Sequence, residues 1–157
     1  MENQTDPAAN GKALPIVALG ASAGGLEALE KFFDHMAADS GMAFVVIQHL
    51  SPDYKSLMAE LLSKHTAMDV VRAEDGAELQ ANTVYLIQPK TNLSIFHGRL
   101  VATQQTHGAG LNLPIDIFMR SLAEDVGERA IGVILSGTGS DGMRGVRAIK
   151  EAGGMVV

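Results

Sequence analysis

Three residues whose side chains suit acyl transfer each follow an apolar stretch of the chain. Ser22 lies in GASAGG after the run LPIVAL, His49 follows MAFVVIQ, and Asp141 lies in SGTGSDG after AIGVIL. A serine hydroxyl becomes an effective nucleophile when an imidazole removes its proton. A carboxylate orients that imidazole and stabilises its charged form. These residue types therefore predict a catalytic triad of Ser22, His49 and Asp141.

Each of these residues also has an ordinary structural explanation. Ser22 precedes a helical pattern, and serine is a preferred N-cap residue. His49 taken alone suits a structural histidine, and Asp141 before a glycine suits a turn. The triad is favoured because all three residues follow predicted strands, and chemistry in an open parallel sheet lies outside the carboxyl ends of the strands.

The loop from Gly20 to Gly25 nearly fits the dinucleotide fingerprint G-x-G-x-x-G. Ser22 occupies the second glycine position, where a glycine lets the backbone approach the pyrophosphate. The fingerprint also needs an acidic residue near the end of the second strand, where this chain has His49. The loop matches G-x-S-x-G, a strand-to-helix turn that presents a serine nucleophile. A nucleotide-binding domain is therefore the weaker alternative.

Apolar runs alternate with amphipathic stretches along much of the chain, which is typical of a parallel α/β sheet. Buried strands are predicted at LPIVAL, AFVVI and AIGVIL. Helices are predicted in GGLEALEKFFDHMAAD, SPDYKSLMAELLSKH, PIDIFMRSLAEDV and MRGVRAIKEAG. The region from Asn82 to Thr103 predicts an antiparallel hairpin excursion that turns at His97-Gly98. We expect a doubly wound, mainly parallel sheet with helices on both faces.

Composition limits the classes of protein that this chain can represent. The 157 residues carry a formal net charge of -6 and contain no cysteine, which disfavours nucleic-acid binding and excludes disulfides and thiolate metal sites. No apolar run approaches the roughly 20 residues of a membrane helix. The remaining histidines have no metal-ligand spacing and are interpreted as structural: His35, His65, His97 and His107. We expect a cytoplasmic protein without a metal or cofactor, without nucleic acid and without membrane insertion.

The chain divides into two regions. Residues 1–13 are polar and predict a flexible N-terminal lead-in. Residues 14–157 predict one catalytic domain with its own core. The segment from Met155 to Val157 has the character of the first residues of another strand. We therefore expect a C-terminally truncated domain that continues in a longer parent chain.

Four stretches of the sequence resemble the catalytic domain of the bacterial chemotaxis protein-glutamate methylesterases, the CheB family. They are VALGASAGGLEAL, FVVIQHLSPDYKSLMAELL, NLPIDIFMRSLAEDVG and AIGVILSGTGSDGMRGVRAIKEAGG. The resemblance extends from about Leu14 to the end of the chain. HLSPDYKSLM and LSGTGSDG are most similar to the esterase domain at the front of methylesterase–methyltransferase fusion proteins.

The resemblance implies hydrolysis of glutamate methyl esters on chemoreceptor signalling helices, together with glutamine deamidation. Ser22, His49 and Asp141 fall at the positions of the family's nucleophile, base and acid. The backbone N–H groups of Ala23 and Thr138 fall where the family binds the oxyanion. A methyltransferase domain in the parent chain is a further partner that the resemblance implies.

The substrate implied by the resemblance is a side chain of another protein, so a shallow open site is expected. Receptor methylation helices are acidic and this chain is acidic too, so local basic residues are expected to contact them. The candidates are Arg72, Lys90 and Arg144. A non-catalytic regulatory interaction module with the same fold stays the alternative, because an intact triad is necessary and not sufficient for activity.

Overall fold

The computed structural model describes residues 14–49, 57–105, 112–135 and 138–157. The predicted lead-in, residues 1–13, and the start of the helix predicted from Ser51 lie outside the described residues. The elements in chain order are β1 Ile16–Ala21, α1 Leu26–Asp34, β2 Ala43–Gln48, α2 Met58–Leu62, β3 Asp69–Arg72, β4 Thr83–Leu86, β5 Thr91–Phe96, β6 Arg99–Gln104, α3 Pro114–Val126, a 3-10 turn Gly127–Arg129, β7 Ala130–Ile134, α4 Met143–Glu151 and β8 Met155–Val156.

Six strands form one parallel sheet in the order β3-β4-β2-β1-β7-β8. β1 lies inside the sheet and pairs with β2 on one side, where Ala21 is opposite Gln48. It pairs with β7 on the other side, where Gly20 is opposite Ile134. The carboxyl ends of β2, β1 and β7 therefore lie side by side, where open α/β sheets bind their ligands. The predicted doubly wound sheet is confirmed.

Apolar side chains cover both faces of this sheet, as parallel sheets require. On one face, α1 and α2 pack through Leu29, Phe33 and Met58, which are all buried. On the other face, α3 packs through the buried Phe118 and Met119 beside the β5–β6 hairpin. Burial of each large apolar side chain stabilises the fold by about 1.5–3 kcal/mol. The two packed layers hold the sheet edge that carries the predicted site.

The antiparallel part is shorter than the segment from Asn82 to Thr103 that the sequence predicts. β4 pairs in parallel with β2 and β3 in the main sheet, and the hairpin is formed by β5 and β6. The four residues of β4, TVYL, do not reveal the direction of a partner strand, so the sequence could not assign β4 to the parallel sheet. The predicted turn is confirmed: His97 and Gly98 have φ values of 52° and 78°, the backbone of a tight hairpin turn. Asp125 of α3 accepts hydrogen bonds from both of their N–H groups, at 2.6 and 3.0 Å.

Close packing of α3 on α4 depends on Gly145. A Cβ at this position would lie 2.6 Å from Met119 Cβ. Gly145→Ala is therefore expected to destabilise the domain by about 1–3 kcal/mol, the usual effect of overpacking. Gly24→Ala is the control, since a Cβ there would meet no atom within 4 Å. Urea unfolding measures both variants, and equal midpoints would contradict the packing explanation.

An ionic cluster joins α1 to the turn after α2. His65 Nδ1 lies 2.8 Å from Asp34 Oδ1, and His65 Nε2 lies 3.3 Å from Glu30 Oε2. The hydrogen bond to Asp34 is the main cause of a His65 pKa above the ordinary value of 6.5. Protonated His65 therefore has favourable partners in the folded state that the unfolded chain does not provide.

This raised pKa predicts a pH-dependent contribution to stability. The contribution of His65 is fully present below the unfolded-state pKa of 6.5 and is lost as the pH rises through the higher folded-state pKa. We expect the destabilisation by His65→Gln to be largest at about pH 6 and to shrink towards about pH 9. Urea unfolding of wild type and variant across this range measures the difference. A difference that stays constant with pH would contradict the assignment.

Candidate active site

Ser22 lies in the turn directly after β1 and is partly exposed. The Gly25 N–H closes this turn by donating to the Ser22 carbonyl oxygen at 3.0 Å. The N-cap residue of α1 is Gly25, and no side chain caps the helix. The N-cap explanation of Ser22 is therefore wrong. Its hydroxyl is left for another role.

The end of β2 is tied to the Ser22 turn. The His49 N–H donates to the Ala21 carbonyl oxygen at 3.0 Å. The buried Gln48 side chain donates from Nε2 to the carbonyl oxygens of Ser22 at 3.1 Å and Ala23 at 3.3 Å. These bonds fix the Ser22 turn relative to His49. Sequence reasoning assigned no role to Gln48, although a polar residue that ends a buried strand was a usable signal.

His49 and Asp141 are in direct contact. His49 Nε2 lies 2.7 Å from Asp141 Oδ2, and their side chains are 35% and 1% exposed. A carboxylate only accepts hydrogen bonds, so this geometry places the proton on Nε2 and leaves Nδ1 as the nitrogen for Ser22. No hydrogen bond joins Ser22 to His49 among the described residues. That contact stays a prediction, and catalytic hydrogen bonds often tighten only when substrate binds.

Asp141 also belongs to a buried network that sequence reasoning missed. Its Oδ2 accepts from the Ile115 N–H at 3.0 Å, and its Oδ1 accepts from the Asp116 N–H at 2.8 Å. Asp116 Oδ1 accepts in turn from the N–H groups of Gly142 at 3.0 Å and Gly145 at 2.7 Å. Asp141 thus accepts from N–H groups at the start of α3, and Asp116 accepts from N–H groups at the start of α4. The helix dipole favours negative charge at both places. An acidic residue within the apolar stretch NLPIDIF was the available signal for Asp116.

Ala23 and Thr138, the residues that the resemblance assigns to the oxyanion, follow β1 and β7. Ala23 is exposed, and Thr138 is buried. The Thr138 carbonyl oxygen accepts from the Asp141 N–H at 3.2 Å, which closes the loop. Neither the Ala23 N–H nor the Thr138 N–H donates a hydrogen bond within the described ranges. Their binding of an oxyanion stays a prediction.

A cleft of about 180 Å³ opens beside His49. Its walls come from the segments after β2 and β4, and its lining residues include Gln88 and Lys90. The two other basic residues proposed to contact substrate lie elsewhere. Arg72 is exposed at the end of β3, an edge strand, and Arg144 lines a groove between α3 and α4. Lys90 is therefore the basic candidate that the fold brings to the site.

The other described histidines have separate surroundings. His35 Nδ1 lies 2.8 Å from the Lys31 carbonyl oxygen, His65 contacts carboxylates of α1, and His97 forms the hairpin turn. His107 lies outside the described residues. Within the described part of the chain, no group of three or more His, Asp or Glu side chains is arranged to hold a metal ion. None of the helices described is long and apolar enough to cross a membrane.

The family model for the CheB methylesterases matches residues 17–157. This chain belongs to the CheB methylesterase family. Among curated relatives of this CheB-family domain, the protein-glutamate methylesterase/protein-glutamine glutaminase 3 of Paramagnetospirillum magneticum is 39% identical over 140 residues, 88% of this chain and 39% of the relative. An uncharacterized 104.1 kDa protein of Rhodobacter capsulatus is 49% identical over 100 residues, 64% of this chain and 10% of that protein. The chain thus spans less than half the length of these relatives.

The fold is similar to a solved CheB structure. The catalytic domain of the Thermotoga maritima CheB methylesterase aligns with a TM-score of 0.79 and 28% sequence identity. The alignment covers 91% of this chain and 78% of that chain. The family and the fold class expected from the sequence motifs are confirmed. The particular likeness to methylesterase–methyltransferase fusion proteins stays a prediction.

Proposed function

We propose that this CheB-family domain is a serine hydrolase that removes methyl groups from glutamate methyl esters of chemoreceptors. The observation that carries the proposal is the 2.7 Å contact between His49 Nε2 and Asp141 Oδ2, beside the Ser22 turn. A nucleophile, a base and an acid on neighbouring strand ends are what acyl transfer needs. Relatives named protein-glutamate methylesterase/protein-glutamine glutaminase support the proposal.

In the proposed reaction, Ser22 Oγ attacks the ester carbonyl carbon while His49 Nδ1 takes the hydroxyl proton. Asp141 keeps the other proton on Nε2 and stabilises the imidazolium that forms. The negative oxygen of the tetrahedral intermediate is bound by the N–H groups of Ala23 and Thr138. The intermediate collapses as the C–O bond to methoxide breaks, and His49 protonates the methoxide, which leaves as methanol.

The second half of the reaction regenerates the serine. His49 removes a proton from water, which attacks the acyl carbon and forms a second tetrahedral intermediate. This intermediate expels Ser22 Oγ, which takes the proton from His49, and glutamate is released. Glutamine differs from the ester at the leaving group, so the same steps release ammonia and account for deamidation.

The substrate in this proposal is a side chain on a chemoreceptor signalling helix. The cleft beside His49 is small and is lined mostly by polar side chains. Such a cleft suits a short segment of a protein surface better than a drug-sized molecule. Lys90 in its wall is suited to acidic residues that flank the ester. The proposed location is the cytoplasm, and a methyltransferase domain in the parent chain stays a prediction.

Methanol release from a methylated chemoreceptor tests the proposal. The wild-type chain is expected to release one methanol for each new glutamate carboxylate, and ammonia from a receptor that carries glutamine at the same positions. Heat-denatured chain incubated with the same receptor is the control for spontaneous hydrolysis. Binding of the receptor by folded chain without methanol or ammonia release would support the regulatory-module alternative instead.

A further inference from the structure

Asp116 and Asp141 hold each other's backbone in a closed arrangement. Asp141 accepts from the Ile115 and Asp116 N–H groups at the start of α3. Asp116 accepts from the N–H groups of Gly142, which directly follows Asp141, and of Gly145 in the first turn of α4. Asp116 is 4% exposed and Asp141 is 2% exposed. The backbone that carries Asp141 is therefore set by Asp116.

The turn after Asp141 depends on this support. Gly142 has a φ of 104°, a conformation that residues with side chains rarely adopt. A Cβ at Gly145 would lie 3.3 Å from Asp116 Oδ1, so the missing side chain leaves room for the carboxylate to reach the backbone N–H. The sequence S-D-G-M-R-G thus provides a turn that is shaped to receive Asp116.

One oxygen of Asp116 has no stabilising partner. Asp116 Oδ2 is buried without a hydrogen bond among the described residues, which disfavours the folded state. A helix start can be capped without this disadvantage by an exposed serine or asparagine. Local arrangements that reduce stability, such as this unpartnered oxygen, are expected where a functional site requires a particular arrangement of its side chains.

We propose that Asp116 is a positioning residue for the esterase reaction. Its carboxylate holds the 141–145 turn so that Asp141 Oδ2 reaches His49 Nε2. Asp116 acts through Asp141 and touches no reacting atom. The kinetic readout of this inference rests on the proposed function. A displacement of about 1 Å in a catalytic group can lower the rate about 100-fold.

Two substitutions of Asp116 separate a positioning role from a general effect of changing a buried side chain. Asp116→Ala removes the acceptor of both N–H groups and is expected to lower kcat about 10- to 100-fold with little change in KM. Asp116→Asn keeps a carbonyl oxygen at the Oδ1 position and places the amide nitrogen where Oδ2 has no partner. It is expected to restore kcat to within about threefold of wild type. If Asp116→Ala does not fold, Asp116→Ser, whose hydroxyl can accept from one N–H, takes its place.

Asp125→Ala is the matched control. Asp125 also lies on α3 and accepts from two backbone N–H groups of a turn, those of His97 and Gly98. Its loss is expected to lower stability without changing kcat. A loss of kcat in Asp125→Ala as large as in Asp116→Ala would assign both effects to general destabilisation and overturn the inference.

The ¹H NMR signal of the His49 Nε2 proton gives a readout that needs no turnover. The signal is expected in wild type, Asp116→Asn and Asp125→Ala, and is expected to be shifted or lost in Asp116→Ala. An unchanged signal together with unchanged kcat in folded Asp116→Ala would overturn the inference. Absence of methanol release by wild type would contradict the proposed function alone, and the NMR comparison would still decide whether Asp116 positions Asp141.

Discussion

Ser22→Ala is expected to lower methanol release from a methylated receptor by roughly 10³- to 10⁶-fold, because it removes the oxygen proposed to attack the ester. The fold should be unaffected. Ser22 does not cap α1, and its hydroxyl makes no hydrogen bond within the described part of the chain. The free energy of unfolding is therefore expected to stay within about 0.5 kcal/mol of wild type. The measurements are kcat for methanol release and urea unfolding of the same preparation.

Ser140→Ala is the matched control for the nucleophile. Ser140 is an exposed serine in the turn beside Asp141. Its carbonyl oxygen, which accepts from the Met143 N–H at 3.3 Å, is unchanged by the substitution. This variant should keep a kcat close to that of wild type. Full activity of Ser22→Ala, or loss of activity in Ser140→Ala alone, would assign the nucleophile to another residue.

Asp141→Asn is expected to lower kcat by about 10³- to 10⁴-fold, since it changes the histidine tautomer. With the amide nitrogen at the Oδ2 position, His49 Nε2 must accept a hydrogen bond. The ring proton then moves to Nδ1, the nitrogen proposed to take the Ser22 proton, and His49 cannot act as the proposed base. With the amide reversed, its NH₂ group faces the Asp116 N–H, and two donors meet.

The same substitution is expected to reduce stability. Either orientation of the amide leaves one buried N–H of the α3 start without an acceptor, which reduces stability by about 1–3 kcal/mol. Asp125→Asn, which changes a carboxylate of the same helix that supports the hairpin turn, is the control for kcat. Parallel measurements of kcat and of urea unfolding separate the two effects. Wild-type kcat in a folded Asp141→Asn would refute the triad.

Local sequence patterns were enough to predict the site strands. Strands buried on both faces read as continuous apolar runs, which marked β1, β2 and β7. Polar residues at the ends of these runs marked Ser22, His49 and Asp141. The His97-Gly98 turn could also be predicted from its own residues, because a two-residue hairpin loop depends on the backbone conformation of those two residues. Whether β4 pairs in parallel or antiparallel could not be predicted from its four residues, since that depends on the strands beside it.

The sequence by itself determined the family, the parallel α/β architecture and the residue types of the proposed chemistry, because motifs and apolar runs are properties of neighbouring residues. The tertiary structure alone decided which side chains meet. The His49–Asp141 contact joins residues 92 positions apart, and the bond from the Asp116 N–H to Asp141 spans 25 positions. The first contact exists because the sheet places the carboxyl ends of β2 and β7 on either side of β1. The second exists because α3 packs against α4. No periodicity or spacing within one segment contains that information.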